Sequence, residues 1–188
     1  MGTQEDELLH AARQFDRQAL TEIYDRYSTA LYAYAMRLLG NPELAEECVA
    51  DTFQRFLLAL RAGGGPDGYL KAYLYRIAHN WITDLYRRQP FPTVELSENM
   101  MTDGNANPES AAETRFEQQR VRAALRCLTA EQRQVLVLRF LENLSIEETA
   151  LAINKPESAV KSLQHRALAT LHRLLTDSER KNKGYAQA

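Results

Sequence analysis

What this chain has little of narrows its class first. Its 188 residues include only two cysteines, eight glycines, six prolines and one tryptophan, and the formal net charge is −2. Cys48 and Cys127 sit far apart in helical patterns without metal-ligand spacing, so they read as reduced, buried thiols, and neither a metal centre nor a disulfide is expected. No apolar run approaches the roughly 20 residues that cross a bilayer, and the opening MGTQEDELLH is acidic, unlike a secretory leader. These absences exclude direct membrane insertion and point to a cytoplasmic setting.

The small net charge seems to argue against a nucleic-acid partner, but its distribution argues otherwise. Residues 1–90 carry 10 Lys/Arg against 12 Asp/Glu, residues 91–118 carry 1 against 6, and residues 119–188 carry 12 against 7. A near-neutral head, an acidic middle and a basic tail are different electrostatic objects. So few surplus cations give the tail only modest DNA affinity alone, and a larger partner is expected to hold it there.

Helical periodicity dominates, and no alternating strand pattern stands out. Asp16 is placed to cap a helix whose Leu20, Ile23, Tyr24, Tyr27, Leu31, Tyr34 and Leu38 recur at helical spacing, with Gly40 as its stop. Asn41-Pro42 reads as an N-cap with proline in the first turn of a helix to about Arg61. GGGPDG (63–68) is a flexible break, and a third long helix starts near Asp67. From Gln89 the chain turns polar, acidic and proline-containing, which reads as a linker over 91–114. Helicity resumes near Pro108 and is expected to run to Leu128. The spacings Thr129/Gln132 and Ser145/Glu148 are capping boxes, defining helices of about 129–141 and 145–153. Pro156 opens a last helix to about Leu175, after which a frayed tail is expected.

The fold class that follows is all-α: two small helical domains joined by an acidic flexible linker, the second containing a helix-turn-helix. The domains are assigned to 1–90 and 115–176, with a flexible tail at 177–188. In SIEETALAINKPESAVKSLQHRALATL, Ile146, Ala150 and Ile153 point inward and Asn154 occupies a turn that wants a left-handed residue. Val160, Leu163, Ala167, Leu168 and Leu171 form the packed stripe of the second helix. Lys161, Ser162, His165 and Arg166 then face outward with Gln164 at the margin, residue types that bond phosphates and base edges. A helical hairpin with a merely solvated face is the alternative, but residues 159–166 contain no acid.

The stretch YLYRIAHNWITDLYRR (73–88) raises a second question. Leu70, Leu74, Ile77, Ala78, Trp81 and Leu85 fall on one side of the helix and supply a core stripe. Tyr75, His79, Ile82 and Tyr86 fall on a second arc, and Arg76, Asn80, Thr83 and Arg87 on a third. Tyrosines beside arginines suit single-stranded nucleic acid, with bases stacking on rings while cations follow the backbone. An asparagine in that surface can bond an extruded base. Equally, the tyrosines can cover a neighbouring helix and keep their hydroxyls wet.

Taken together these segments resemble the sigma subunits of bacterial RNA polymerase, specifically the two-domain extracytoplasmic-function (ECF) group of the sigma-70 family. The resemblance covers about 8–90 and 115–176. It is carried by ALTEIYDRYSTALYAYAMRLL, PELAEECVADTFQRFL and YLKAYLYRIAHNWITDLYRR in the first part. In the second part it is carried by LTAEQRQVLVLRF together with VKSLQHRA. It implies a promoter-directing initiation factor rather than an enzyme, with no catalytic residue, no cofactor and no small-molecule substrate. Glu46, Glu47, Asp51 and Phe53 would dock on the clamp helices of the β′ subunit, and the β flap and promoter DNA would be further partners. Tyr75, Arg76, His79, Asn80, Thr83, Arg87 and Arg88 would meet the −10 strand, with Asn80 capturing a flipped base. Lys161, Ser162, Gln164, His165 and Arg166 would meet the −35 duplex. An anti-sigma protein, often membrane-tethered, would silence the chain in trans and hold it at the membrane.

Departures from the family pattern are Ala50-Asp51 in place of Gln-Glu, Tyr73 in place of tryptophan, Trp81 in place of a smaller residue, and the order Leu163-Gln164. Promoter sequence therefore does not carry over from relatives. Two other classes share features with this one. A helix-turn-helix regulator with a helical sensory or dimerisation domain explains 119–175 but not the 75–80 surface. A sigma-mimicking adaptor explains 41–56 but not promoter reading.

Overall fold

A computed structural model describes residues 4–88, 124, 125 and 127–185, the stretch from 177 as backbone only. The elements are α1 (Gln4–Arg13), α2 (Arg17–Leu39), α3 (Pro42–Arg61), α4 (Leu70–Arg88), α5 (Ala130–Leu136), α6 (Ile146–Ile153) and α7 (Glu157–Tyr185), with a π-helical turn, Val137–Leu141, continuing α5. Among the described residues there is no strand, as the hydrophobic spacing predicts. The expected linker at 91–114, and the helix expected from Pro108 as far as residue 123, lie outside the described residues.

Local chemistry sets most boundaries. Asp16 caps α2 by accepting from the Ala19 amide at 2.8 Å, and Gly40 ends it at φ 66°, its amide returning to the Met36 carbonyl. Asn41 accepts from the Leu44 amide at 3.0 Å while Pro42 fills the first turn of α3. Gly65 lies at φ 104°, open only to glycine, and an added Cβ would stand 3.0 Å from Leu60. α4 begins at Leu70 rather than near Asp67, because Tyr69 takes a left-handed φ of 51°.

Three features of the fold differ from expectation. Residues 4–13 form α1, which buries Leu8, Leu9 and Ala12; Arg13 then donates to the Pro66 carbonyl at 2.6 Å and to Asp67 at 2.7 Å. The last helix continues to Tyr185, past Leu175 and through most of the assigned tail. Leu168, assigned to the packed stripe, is 42% exposed.

The two halves also close on each other. One contiguous apolar cluster contains Leu31, Tyr34, Phe56, Leu74, Tyr75 and Ile82 of the first half together with Val135, Leu138, Leu144, Ile153 and Val160 of the second. Leu128, Leu136 and Ala167 form a smaller satellite inside the second half. α4 lies along α6, so the helix that carries the candidate strand-binding residues is also the one that seats the helix-turn-helix.

Candidate nucleic-acid and polymerase surfaces

The helix-turn-helix is built from local signals. Both capping boxes are closed in both directions. Thr129 accepts from the Gln132 amide at 3.3 Å while the Gln132 side chain accepts from the Thr129 amide at 3.1 Å, and Ser145 and Glu148 do the same at 3.0 and 2.6 Å. Asn154 ends α6 at φ 52°, ψ 48°, the left-handed conformation its position called for. On α7, Lys161, Ser162, His165 and Arg166 are exposed and Gln164 is half-buried, as expected from the wheel. Gln164 is held in place, its Oε1 accepting from Arg139 Nε at 3.2 Å, and Arg139 also donates to the Leu144 carbonyl. Lys161 pairs with Glu157 at 3.1 Å on an open surface, a contact that phosphates can readily replace.

α4 divides into three arcs, but not as read from the sequence. Leu70, Leu74 and Ala78 are buried, with Ile77, Trp81 and Leu85 packed at the margin. The second arc, assigned to open surface, is covered: Tyr75 is fully buried and His79 is 9% exposed. The reason is tertiary, since α6 and Glu142 lie against this face, a placement no periodicity within α4 encodes. The Tyr75 ring meets Tyr34 edge-on at 5.2 Å and its hydroxyl donates to Glu142 at 2.6 Å. Burial and the Glu142 carboxylate push the Tyr75 phenol far above its ordinary range. Tyr86 donates to the Leu38 carbonyl at 2.5 Å.

His79 sits at the seam beside Glu131 and Lys155. Burial pushes its pKa down to about 4, with Glu131 opposing and Lys155 reinforcing the shift. Thr83, half-buried, joins His79, Glu131 and Lys155 in lining a seam cavity of about 180 Å³. The third arc remains outward: Arg76, Asn80, Arg87 and Arg88 are all exposed, and Arg87 makes only a loose 3.6 Å pair with Asp84.

On α3, Glu46 and Glu47 are exposed, whereas Asp51 is half-buried in an ion pair with Arg55 at 2.6 Å. Phe53 is a correction: it is core, not an exposed anchor, with its ring centroid 4.8 Å from that of Tyr24. The outward apolar side chains of this helix are instead Leu57 and Leu58, 39% and 56% exposed. Beside Glu46 a groove of about 470 Å³ runs between α2 and α3, lined by Tyr24, Ser28, Tyr32 and Val49 among others. Cys48 is buried as expected, and burial pushes its thiol up to about 12, so it is inert at neutral pH; Cys127, expected to be buried too, is exposed.

The residue that sequence reasoning missed is Glu142. Its carboxylate is buried and accepts from Arg37 of α2 and Tyr75 of α4, and its backbone carbonyl accepts from Lys71 Nζ at 2.5 Å. Tyr69 adds an exposed contact to Glu147 at 2.9 Å. An acid after LRFL carries no local signal of such a role, because all three donors lie in the other half of the chain.

Comparison with known proteins agrees with this layout. Residues 23–90 match the family described as Sigma-70 region 2, and residues 124–173 match Sigma-70, region 4. The ECF RNA polymerase sigma factor BldN of Streptomyces coelicolor is 33% identical over 177 residues, covering 93% of this chain and 67% of BldN. The ECF RNA polymerase sigma factor SigD of Mycobacterium tuberculosis is 32% identical over 181 residues, covering 90% and 83%. Among solved structures, CnrH in complex with the cytosolic domain of CnrY superposes with a TM-score of 0.66 at 25% identity, covering 92% of this chain and 97% of that one.

Proposed function

The chain belongs to the extracytoplasmic-function group of the sigma-70 family, and we propose that its two halves divide promoter recognition between duplex and opened strand. It is a promoter-directing sigma factor. Factors of this kind act by binding core RNA polymerase and DNA, and no enzymatic chemistry is assigned to any residue here. Among the described residues no helix is long and apolar enough to cross a membrane. Action in the cytoplasm is part of this reading.

α7 enters the −35 major groove, where Lys161, Ser162, His165 and Arg166 reach phosphates and base edges. Gln164, tethered by Arg139, lies at the rim of that contact. The exposed arc of α4 follows the −10 strand through Arg76, Arg87 and Arg88, and Asn80 bonds the edge of a base turned out of the stack. Tyr75, His79 and Thr83 join that surface once the second half moves off it. Glu46, Glu47 and Asp51 meet basic residues of the β′ clamp helices; Leu57 and Leu58, rather than Phe53, supply the apolar part of the contact. The β flap takes the second half, and the acidic 91–114 segment threads near the RNA path, where growing transcript displaces it.

The solved CnrH structure is a complex with the cytosolic domain of CnrY. By analogy, an anti-sigma protein acting in trans holds this chain silent, and a tethered one would keep it near a membrane.

The observation that carries the reading is the acid-free outward face of residues 159–166, presented by a helix-turn-helix in the same chain as a region 2 match. In vitro transcription with purified core polymerase tests it. Added alone, the chain is expected to produce promoter-specific starts that core polymerase does not make. Identical transcripts with and without it would remove the proposal and return the helix-turn-helix regulator.

A further inference from the structure

α1 stands before the region 2 match, which begins at residue 23, and its inward side chains, Leu8, Leu9 and Ala12, account for its packing. Arg13 falls outside that account. It ends α1 with its side chain 40% exposed and reaches the loop between α3 and α4. There its Nη2 donates to the Pro66 carbonyl at 2.6 Å and to Asp67 Oδ1 at 2.7 Å. The Asp67 side chain is 98% exposed, and an ion pair so open to water adds little to folding. The bond to Pro66 is charge-assisted and partly buried, so what it governs is where the loop sits.

Residues 63–68 are pinned by backbone at each end. The Gly63 amide donates to the Leu60 carbonyl at 3.0 Å and the Gly64 amide to Ala59 at 2.9 Å, which closes off α3. Tyr69, at a left-handed φ of 51°, turns the chain into α4, and its carbonyl accepts from the Tyr73 amide at 3.0 Å. Between these ends, among the described residues, Arg13 supplies the hydrogen bonds that fix Pro66 and Asp67. The loop borders a cleft of about 340 Å³. Pro66, Asp67 and Tyr69 line it from the loop, Tyr73 and Arg76 from α4, and Leu151 from α6. Arg76 and Tyr69 are both exposed, so the cleft lies beside the arc of α4 assigned to the opened strand. Arg13 acts on that cleft twice. It holds the wall in place, and its charge offsets the Asp67 carboxylate, which left bare would repel phosphates next to Arg76.

We propose that Arg13 is a positioning residue for strand capture: held by α1, it fixes the loop that walls the cleft at Arg76, and so sets how sharply the −10 element is discriminated. The inference rests on the assignment of α4 to the −10 strand. Arg13 itself touches no base; it works through Pro66 and Asp67.

The test uses holoenzyme assembled from the full chain and purified core polymerase. Permanganate footprinting follows opening of a promoter that wild type opens, and of templates carrying single-base changes along its −10 element. A core-binding titration and circular dichroism check assembly and folding. Arg13→Ala is expected to bind core polymerase as wild type does and to slow opening about tenfold, the scale of one lost hydrogen bond to a charged group. It is also expected to compress the differences between templates. Arg13→Lys keeps the charge and a donor and should recover part of both; a lysine variant as slow as the alanine one removes the charge-assisted bond as the cause. If Arg13→Ala loses helix, Arg13→Gln is judged by the same two readouts. A folded variant that opens at the wild-type rate overturns the proposal. So does slowing by one factor on every template, which a merely structural role would give. Arg76→Ala separates this failure from failure of the α4 assignment. If it too opens normally, the assignment falls; if it alone slows opening, only the role of Arg13 falls.

Discussion

The Tyr75 hydroxyl donates to the Glu142 carboxylate at 2.6 Å, joining α4 to the turn that leads into the helix-turn-helix. Both partners are buried, and the carboxylate is also paired with Arg37. A neutral donor held on a charged acceptor away from water is a strong hydrogen bond, and the apolar cluster around it spans both halves. Tyr75→Phe keeps the ring against Tyr34 and removes only the donor. Urea unfolding followed by circular dichroism should show stability reduced by about 1.5–3 kcal/mol, with unfolding still a single transition. Two separate transitions in the wild type would mean that the halves do not share a core.

His79 gives closure a pH dependence with a fixed sign. In the closed chain its pKa lies at about 4, pushed down from 6.5 by burial, with Glu131 and Lys155 the charged groups facing it. An open chain returns it to water and to its ordinary value. Above pH 6.5 both forms are neutral and proton uptake costs closure nothing. As pH falls from 6.5 toward 4 the open form takes up the proton first, so closure weakens across that window. At pH 5.5 the loss is about 1.4 kcal/mol, a tenfold shift toward the open form. Scattering profiles at pH 7.5 and 5.5 should show the wild type expanding, and His79→Gln should flatten the response.

How much of this was readable in the sequence depends on whether the cause was local. The caps at Asp16, Asn41, Thr129 and Ser145 each need a side chain and an amide within three residues, and all four form where the spacing puts them. The exposed residues of α7 followed from helical period in the same way. α1 escaped because QEDELLHAAR offers one short apolar stripe, and its helix is held by packing against α2 and α3 and by Arg13 reaching the distant loop at Pro66. The Tyr75/His79 arc was misplaced because its two readings, solvent-facing and neighbour-covering, have the same period. Only the docking of the halves, fixed by Glu142 and its distant donors, separates them. Phe53 failed for a similar reason, since the Tyr24 ring that covers it belongs to another helix.

Asn154 offers a test of the turn itself. It holds φ 52°, ψ 48° between α6 and α7, and Lys155 donates to the Ala150 carbonyl at 3.0 Å across it. Left-handed backbone suits glycine and is tolerated by asparagine, while a β-branched side chain meets the following carbonyl. Asn154→Gly should therefore leave thermal stability nearly unchanged. Asn154→Val should cost about 1–2 kcal/mol and weaken binding to a −35 duplex, because the angle between the two helices can no longer be held. Differential scanning calorimetry and a gel-shift titration measure the two effects, and equal melting of both variants would remove the strain argument.

Asn80 separates strand capture from assembly. It is exposed on α4 between Arg76 and Arg87, away from Glu46 and Glu47 on α3, so a substitution there leaves the polymerase-facing surface untouched. Its amide offers both a donor and an acceptor to the edge of an extruded base, and the unstacking of that base costs a few kcal/mol that such bonds offset. Alanine removes the bonds without disturbing the core stripe. Asn80→Ala is expected to bind core polymerase as wild type does and to slow promoter opening, by about tenfold for the loss of one good base contact. A core-binding titration and permanganate footprinting of the −10 thymines read the two steps independently. Equal loss in both would place Asn80 in assembly rather than in melting; unimpaired opening would take it out of the promoter path.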